Sequence, residues 1–141
     1  MRISKKGLYA LEALTVLAKN YPRRPTKIHE IAVSEGIPEK FLEAILLDLK
    51  TARLVESLRG AQGGYLLRRA PSKVFLGEII RTIDGPLAPM GDAEALRRLV
   101  IKDKKHSALY RVLLDVRNAA AGILDHTSLA DLAGRSSKGR T

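Results

Sequence analysis

The sequence predicts a mainly α-helical chain with one small β-hairpin, an α+β fold. Three observations predict it. Apolar residues recur at spacings of three and four through most of the 141 residues. The period changes between positions 54 and 69, around a cluster of glycines. A narrow heptad-like seam runs through the last long segment.

Ser4 is placed to cap a first helix running to about Asn20, with Leu8, Leu11, Leu14, Leu17 and Ala18 on one face. Pro22 and Pro25 end it. Thr26 is placed to cap a short second helix, whose stripe is Ile28, Ile31 and Ala32 and whose stop is Gly36. Pro38 sits in the first turn of a third helix, where its missing N–H is harmless. Phe41, Leu42, Ile45, Leu46 and Leu49 give that helix its buried face, and it runs out near Ala52.

Leu54–Arg59 and Tyr65–Arg69 read as short strands around the turn Gly60-Ala61-Gln62-Gly63-Gly64, and Pro71 closes the second. Leu76, Ile79, Ile80 and Ile83 mark a fourth helix stopped by Asp84-Gly85-Pro86. Residues 86–91 read as loop. Ala93–Lys102 fits a short helix with Leu96, Leu99 and Val100 as contacts, and Lys102–His106 is a charged break. Ser107 is placed to cap the last long helix. Along it Leu109, Leu113, Val116, Ala120 and Ile123 are spaced four, three, four, three, as in a seam that faces another helix. Thr127–Leu132 reads as a short capped turn of helix.

The totals narrow the class. Hydrophobic residues make up 45% and mean hydropathy is −0.07, enough for a core. The longest strictly apolar runs, such as Ala44–Leu47, are about four residues against the ~20 a membrane span needs. No secretory signal is visible, so the expected location is the cytoplasm. The net charge is +10 and the pI near 10.2. Both halves are basic, and such a field attracts polyanions.

Helix, short helix, glycine turn, longer helix and hairpin, in that order, make a winged helix-turn-helix, a DNA-binding fold. Thr26 and Lys27 open the short helix that crosses the DNA backbone. The helix from Pro38 can enter the major groove, with Lys40, Glu43 and Ala44 on its leading turns. Glu43 could accept from a cytosine amino group, and Lys40 could meet a guanine or a phosphate. The same pattern also fits a solvated charged face; the wing shifts the balance. Arg59 stands at its tip, suited to a narrow minor groove. Gly60, Gly63 and Gly64 either let the backbone approach a phosphate or serve a tight turn that needs positive φ. Arg68 and Arg69 could reach phosphates or solvate the strand.

The run from Leu54 to Leu67 closely resembles the wing of the Rrf2 family of bacterial transcription regulators, some of which sense iron–sulfur clusters, nitric oxide or cysteine status. Lys5–Leu14 resembles its opening helix. Ile28–Ala32, Gly36–Pro38 and Phe41–Glu43 resemble its helix-turn-helix, Leu76–Pro86 its fourth helix, and Thr127–Leu132 its C-terminal end. The likeness spans about residues 1–133. It implies a DNA-binding domain over 1–85, then a variable sensor-like loop and a long C-terminal dimerisation helix over 86–133, followed by a basic tail over 134–141 expected to be disordered. It implies a homodimer on a palindromic double-stranded operator. DNA contacts are expected near Lys40, Glu43, Ala44 and Arg59, and dimer contacts along Leu109–Ile123.

The chain departs from the family at its sensor. Cluster-binding members carry three cysteines before the long helix, and this sequence has no cysteine. A cysteine-ligated cluster is therefore not expected, nor any other cofactor or metal. Asp92, Glu94, Asp103 and His106 are loosely spaced for a metal, and His29 and His126 stand alone. A small anionic effector or a partner protein could act on 86–106. No nucleophile–base constellation indicates an enzyme. The tail Gly134–Thr141 mimics a phosphate loop, with arginine in the lysine position, but no helix follows it. The competing reading is a winged-helix protein–protein interaction module that has lost specific DNA reading.

Overall fold

A computed structural model describes residues 2–134. Its elements are α1 (Lys5–Asn20), α2 (Ile28–Glu35), α3 (Glu39–Thr51), β1 (Val55–Leu58), β2 (Gly64–Leu67), α4 (Leu76–Asp84), α5 (Ala93–Lys102), α6 (Ser107–Leu124) and α7 (Leu129–Gly134). Short 3₁₀ turns at Pro71–Lys73 and Lys104–His106 lead into α4 and α6. The expected tail lies outside the described residues from position 135 onward.

Ser4 caps α1 as expected, its Oγ accepting from the Gly7 N–H at 2.9 Å. The buried face differs from the leucine stripe. Gly7, Ala10, Ala13, Leu14, Leu17 and Ala18 are buried, while Leu8 is 47% exposed. Small residues let neighbouring elements approach α1 closely. At its start Ser4 donates through N and Oγ to the Asp84 carboxylate at the end of α4. A Cβ at Gly7 would stand 2.5 Å from that carboxylate, so glycine is what lets the two helix ends meet.

Thr26 is not the cap of α2. It is fully buried, exchanges backbone hydrogen bonds with Tyr65 at 2.9 and 2.8 Å, and accepts at Oγ1 from Asn20. The residue before α2 thus adds a rung to the hairpin, and the N-cap passes to Lys27, which makes no side-chain capping bond. Gly36 ends α2 at φ +65°, as its position suggests.

In α3, Leu42, Ile45, Leu46 and Leu49 are fully buried. Phe41 is 39% exposed and instead meets the edge of Tyr9, with ring centroids 5.5 Å apart. It lies at the margin of a stripe the other four already fill. The helix ends in a Schellman arrangement: Leu54 N–H bonds to Leu49 O and Arg53 N–H to Lys50 O, with Arg53 at φ +65°. Leu54, packed in the same core, holds a non-glycine residue in that conformation.

The strands pair antiparallel, Val55 opposite Leu67 and Leu58 opposite Gly64. β1 is one residue shorter than expected at each end; β2 starts one residue earlier, at Gly64, and stops at Leu67, so Arg68 and Arg69 fall beyond the ladder. α6 begins at Ser107, but Ser107 does not cap it. Asp103 caps the preceding turn by accepting from the His106 N–H at 3.1 Å.

The main core joins α1–α4 and the hairpin with α7, whose Leu129 is fully buried. Leu76 N–H bonds to Thr127 O and Leu129 N–H to Val74 O, so the chain returns to its first half after α6. Ser128 and Asp131 cap one another's N–H groups at the start of α7. Residues 127–134 therefore pack in space with elements of the first 85 residues. α5 and α6 project as an arm, tied in by a smaller cluster of Ile80, Leu87 and Ala121.

Candidate nucleic-acid interface

The outward face of α3 carries Lys40, Glu43, Ala44 and Leu47, all exposed, with Pro38 exposed at its N-cap. Positions 40, 43, 44 and 47 recur at helical spacing, so they form one face opposite the buried stripe. Leu47, 62% exposed, was not among the expected reading positions. It is an apolar group on a face that otherwise offers a donor, an acceptor and a methyl, a mixture suited to base edges. Glu39 accepts from or faces His29 Nδ1 at 3.1 Å, which ties the first turn of α3 to α2.

Arg59 is exposed at the wing tip. The turn closes with Gly63 N–H donating to Gly60 O at 3.0 Å, and Gly60 takes φ +98°. Gly63 and Gly64 are required as glycines by contacts within the chain. Gly63 is buried, and a Cβ on it would collide with the Leu58 carbonyl. A Cβ on Gly64 would stand 2.6 Å from the Thr26 carbonyl, and Gly64 holds φ +142°. Gly63 lets the turn close on the end of β1, and Gly64 lets β2 approach residue 26.

Two basic side chains expected to face outward are engaged within the chain. Lys27 Nζ donates to Gly63 O at 3.2 Å and Gly60 O at 3.4 Å, bracing the wing from the start of α2. Arg69 donates to Glu78 at 2.6 Å and to Lys73 O. Thr26, being buried, has no surface to offer DNA. Beside the wing, Arg24 makes a two-pronged pair with Glu30 at 2.7 and 3.0 Å, and its hydrogen bond holds the Glu30 carboxyl below the usual carboxylate range. None of these pairings has a signature in spacing, because each joins segments the fold brings together.

On the arm, α6 exposes an apolar stripe: Leu109, Val112, Val116, Ala119 and Ile123. Leu113 and Ala120 of the expected seam are half-buried against the chain itself. The exposed stripe keeps the seven-residue rhythm, in the order three, four, three, four, but is turned toward Val112 and Ala119. α6 is fixed to α4 by Arg81, whose two Nη groups donate to Asp125 at 2.7 and 2.8 Å. Arg81's hydrogen bond is the chief cause that lowers the Asp125 carboxyl, against a smaller opposing effect of burial. Gly77 has no side chain because Asp125 Oδ1 fills the space a Cβ would take.

In the 86–106 segment, Leu87, Ala88, Ala93 and Leu96 are buried, Glu94 faces Arg97 and Arg98, and Lys102, Lys104 and Lys105 are exposed. Asp103 is held below the usual carboxylate range, first by its hydrogen bond from His106. The donor set does not fit an iron–sulfur cluster. The chain has no cysteine, and among the described residues no three His, Asp or Glu side chains gather as a metal site.

Comparison with known proteins points the same way. A family model described as Rrf2, iron-dependent transcriptional regulator, matches residues 3–135. The HTH-type transcriptional regulator CymR of Bacillus subtilis is 37% identical over 133 residues, covering 94% of this chain and 90% of CymR. The structure of CymR, the global cysteine regulator of B. subtilis, superposes with a TM-score of 0.79 at 35% identity, over 97% of this chain and 99% of that one. T. potens IscR superposes with a TM-score of 0.65 at 30% identity, over 100% of this chain and 92% of its own. These relatives are transcriptional regulators and not enzymes. No described helix is long and apolar enough to cross a membrane.

Proposed function

We propose, for a chain that belongs to the Rrf2 family of transcriptional regulators, that it reads a palindromic double-stranded DNA operator as a homodimer and does so without an iron–sulfur cluster. The observation that carries this reading is the shared exposure of Lys40, Glu43 and Ala44 on α3 beside an Arg59 presented at a braced wing tip. Glu43 accepts from a cytosine amino group, Lys40 donates to a guanine or a phosphate, and Ala44 packs on a thymine methyl. Arg59 enters the minor groove next to the reading helix. Lys27 supports that arginine from behind rather than touching DNA.

Dimerisation follows from the α6 stripe. Five apolar side chains in heptad rhythm lack a cover among the described residues, and a second copy of the same helix covers them symmetrically. Two-fold pairing places the two α3 helices for half-sites about one helical turn or a multiple apart. The protein works where the DNA is, in the cytoplasm. Its signal acts on the 86–106 segment, through a small anionic molecule or a partner protein. The regulator names of its relatives favour DNA reading over a purely protein-binding winged helix.

The test is selection of bound duplexes from random DNA, followed by salt-titrated affinity for the winner. The expected outcome is a two-fold symmetric consensus and affinity far above that for scrambled DNA. Recovery of unselected sequence at equal affinity overturns the reading.

A further inference from the structure

Where α4, the loop after it, α5 and α6 meet, the chain encloses an open cavity of about 340 Å³, lined by Arg81, Pro86, Leu87, Asp92, Ala93 and Arg117. The volume falls within the range of small-molecule sites, roughly 300–1,000 Å³. Its walls are largely apolar. Leu87 is 1% exposed and Ala93 9%, and both belong to the packing that seats the arm. Two arginines are among its lining residues, Arg81 from α4 and Arg117 from α6.

The charged groups around the cavity are not equally free. Asp92 is committed to capping α5, its Oδ1 accepting from the Ala95 N–H at 2.8 Å. Asp125 is committed to Arg81. Arg117 has five N–H donors, and its hydrogen bond among the described residues is to the neutral amide of Asn118 at 3.2 Å. Its charge is felt by Asp125, whose carboxyl it helps to lower after Arg81. The cation of the cavity with donors in hand is therefore Arg117, and Arg81 stands by as the second, already sharing its charge with one carboxylate.

We infer that this cavity binds a small oxyanion, a carboxylate or a phosphate ester on a compact apolar body, held by Arg117 and Arg81, and that occupancy alters DNA binding. The inference rests on the proposed DNA-reading function and names the site at which its signal acts. The apolar body lies against Leu87, Pro86 and Ala93, and the oxyanion takes Arg117. The same oxyanion competes with Asp125 for Arg81. The Arg81–Asp125 pair joins the DNA-reading body to the dimer arm, so a ligand that draws on Arg81 changes how α6 sits on α4. In a dimer that joint sets the spacing of the two reading helices. A ligand with different affinity for the two arrangements must shift DNA affinity, and DNA must shift ligand affinity by the same factor.

Three probes with one apolar body test this on the full-length protein: benzoate, phenyl phosphate and uncharged benzamide. Operator binding without probe is measured first; its absence sinks the DNA-reading function and not the cavity. Saturable calorimetric binding of benzoate or phenyl phosphate, with benzamide at least about tenfold weaker, is the expected result, and the tighter of the two identifies the headgroup. Arg117→Gln should weaken that oxyanion about tenfold or more while the unliganded variant keeps its melting temperature within a few degrees. Saturating oxyanion should change operator affinity of the parent about threefold or more and leave that of Arg117→Gln unchanged. Three results overturn the inference: no saturable oxyanion binding, equal binding of all three probes, or oxyanion affinity unchanged in Arg117→Gln. Binding with operator affinity unaltered overturns its regulatory half.

Discussion

Two helices of similar length, α1 and α6, meet solvent in opposite ways. α1, 16 residues long, buries Gly7, Ala10, Ala13, Leu14, Leu17 and Ala18. α6, 18 residues long, buries Ala121 alone and leaves Leu109, Val112, Val116 and Ile123 more than half exposed. The first is surrounded by elements of its own chain. The second has one side set on α5 and the other facing out. The body thus carries its own core within one chain, whereas the outer face of α6 stays exposed among the described residues. The difference teaches where stability and assembly are separable: the body's fold is secured by its core, and the outer face of α6 is the surface proposed to pair with a second copy.

The largest expected effect breaks the arm and spares the body. Val112→Asp with Val116→Asp puts two charges on the stripe. The variant should sediment as a monomer with an unchanged helical spectrum, and operator affinity should fall about 100-fold or more, because one half-site is then bound without the linkage of the second. A dimer of unchanged affinity would mean the stripe pairs nothing.

The converse substitution strikes the body. Leu42→Ala empties a fully buried position of α3 and should cost about 2–5 kcal/mol in denaturant unfolding. Ile123→Ala on the exposed stripe should leave monomer stability nearly unchanged and act through the concentration dependence of the melting temperature. Equal losses at both sites would erase the distinction between body and arm.

A smaller effect is expected at the wing. Arg59→Ala should weaken operator binding by about 1–3 kcal/mol with folding unaltered, since Arg59 is exposed. Equal affinities in a direct titration would remove Arg59 from the interface.

The smallest effect lies at the joint. Asp125 has its folded pKa lowered by Arg81, so its contribution is present above the ordinary carboxylate range and is lost as pH falls through the lowered value. The pair is about a third exposed on both sides, and solvent screens it; Asp125→Asn should cost about 0–1 kcal/mol near neutral pH. Unfolding measured from pH 7 downward should show parent and variant converging in acid. A gap that widens as pH falls would contradict the assignment.

Legibility followed range along the chain. The helices, their stops at Gly36 and Gly85, the hairpin and the exposure of Lys40, Glu43, Ala44 and Arg59 could all be read, because periodicity and turn chemistry are local. What local pattern did not show has one cause. Thr26 has the chemistry of a cap, but Tyr65, distant in sequence, claims its backbone. Lys27 and Arg69 look like free cations, but the wing and Glu78 engage them. Gly63 was open to two readings, approach to a phosphate or a tight turn, and the end of β1 closes on it. The exposed stripe of α6 lies within one position of the expected seam, since the side of α6 that is covered depends on α5.

The sequence by itself determined which segments form helices and strands, that the chain is basic and without thiolates, and that a heptad stripe awaits a partner. These are properties of side-chain period, charge and residue type, each set within a few turns of chain. Tertiary structure alone decided that α7 returns to the first core, that Gly7 and Gly77 make room for Asp84 and Asp125, and that Arg81 and Arg117 meet across one cavity. Those juxtapositions join residues from 36 positions apart, Arg81 and Arg117, to 109 or more, α1 and α7. Their energy depends on distance in space, which packing fixes and local pattern does not encode.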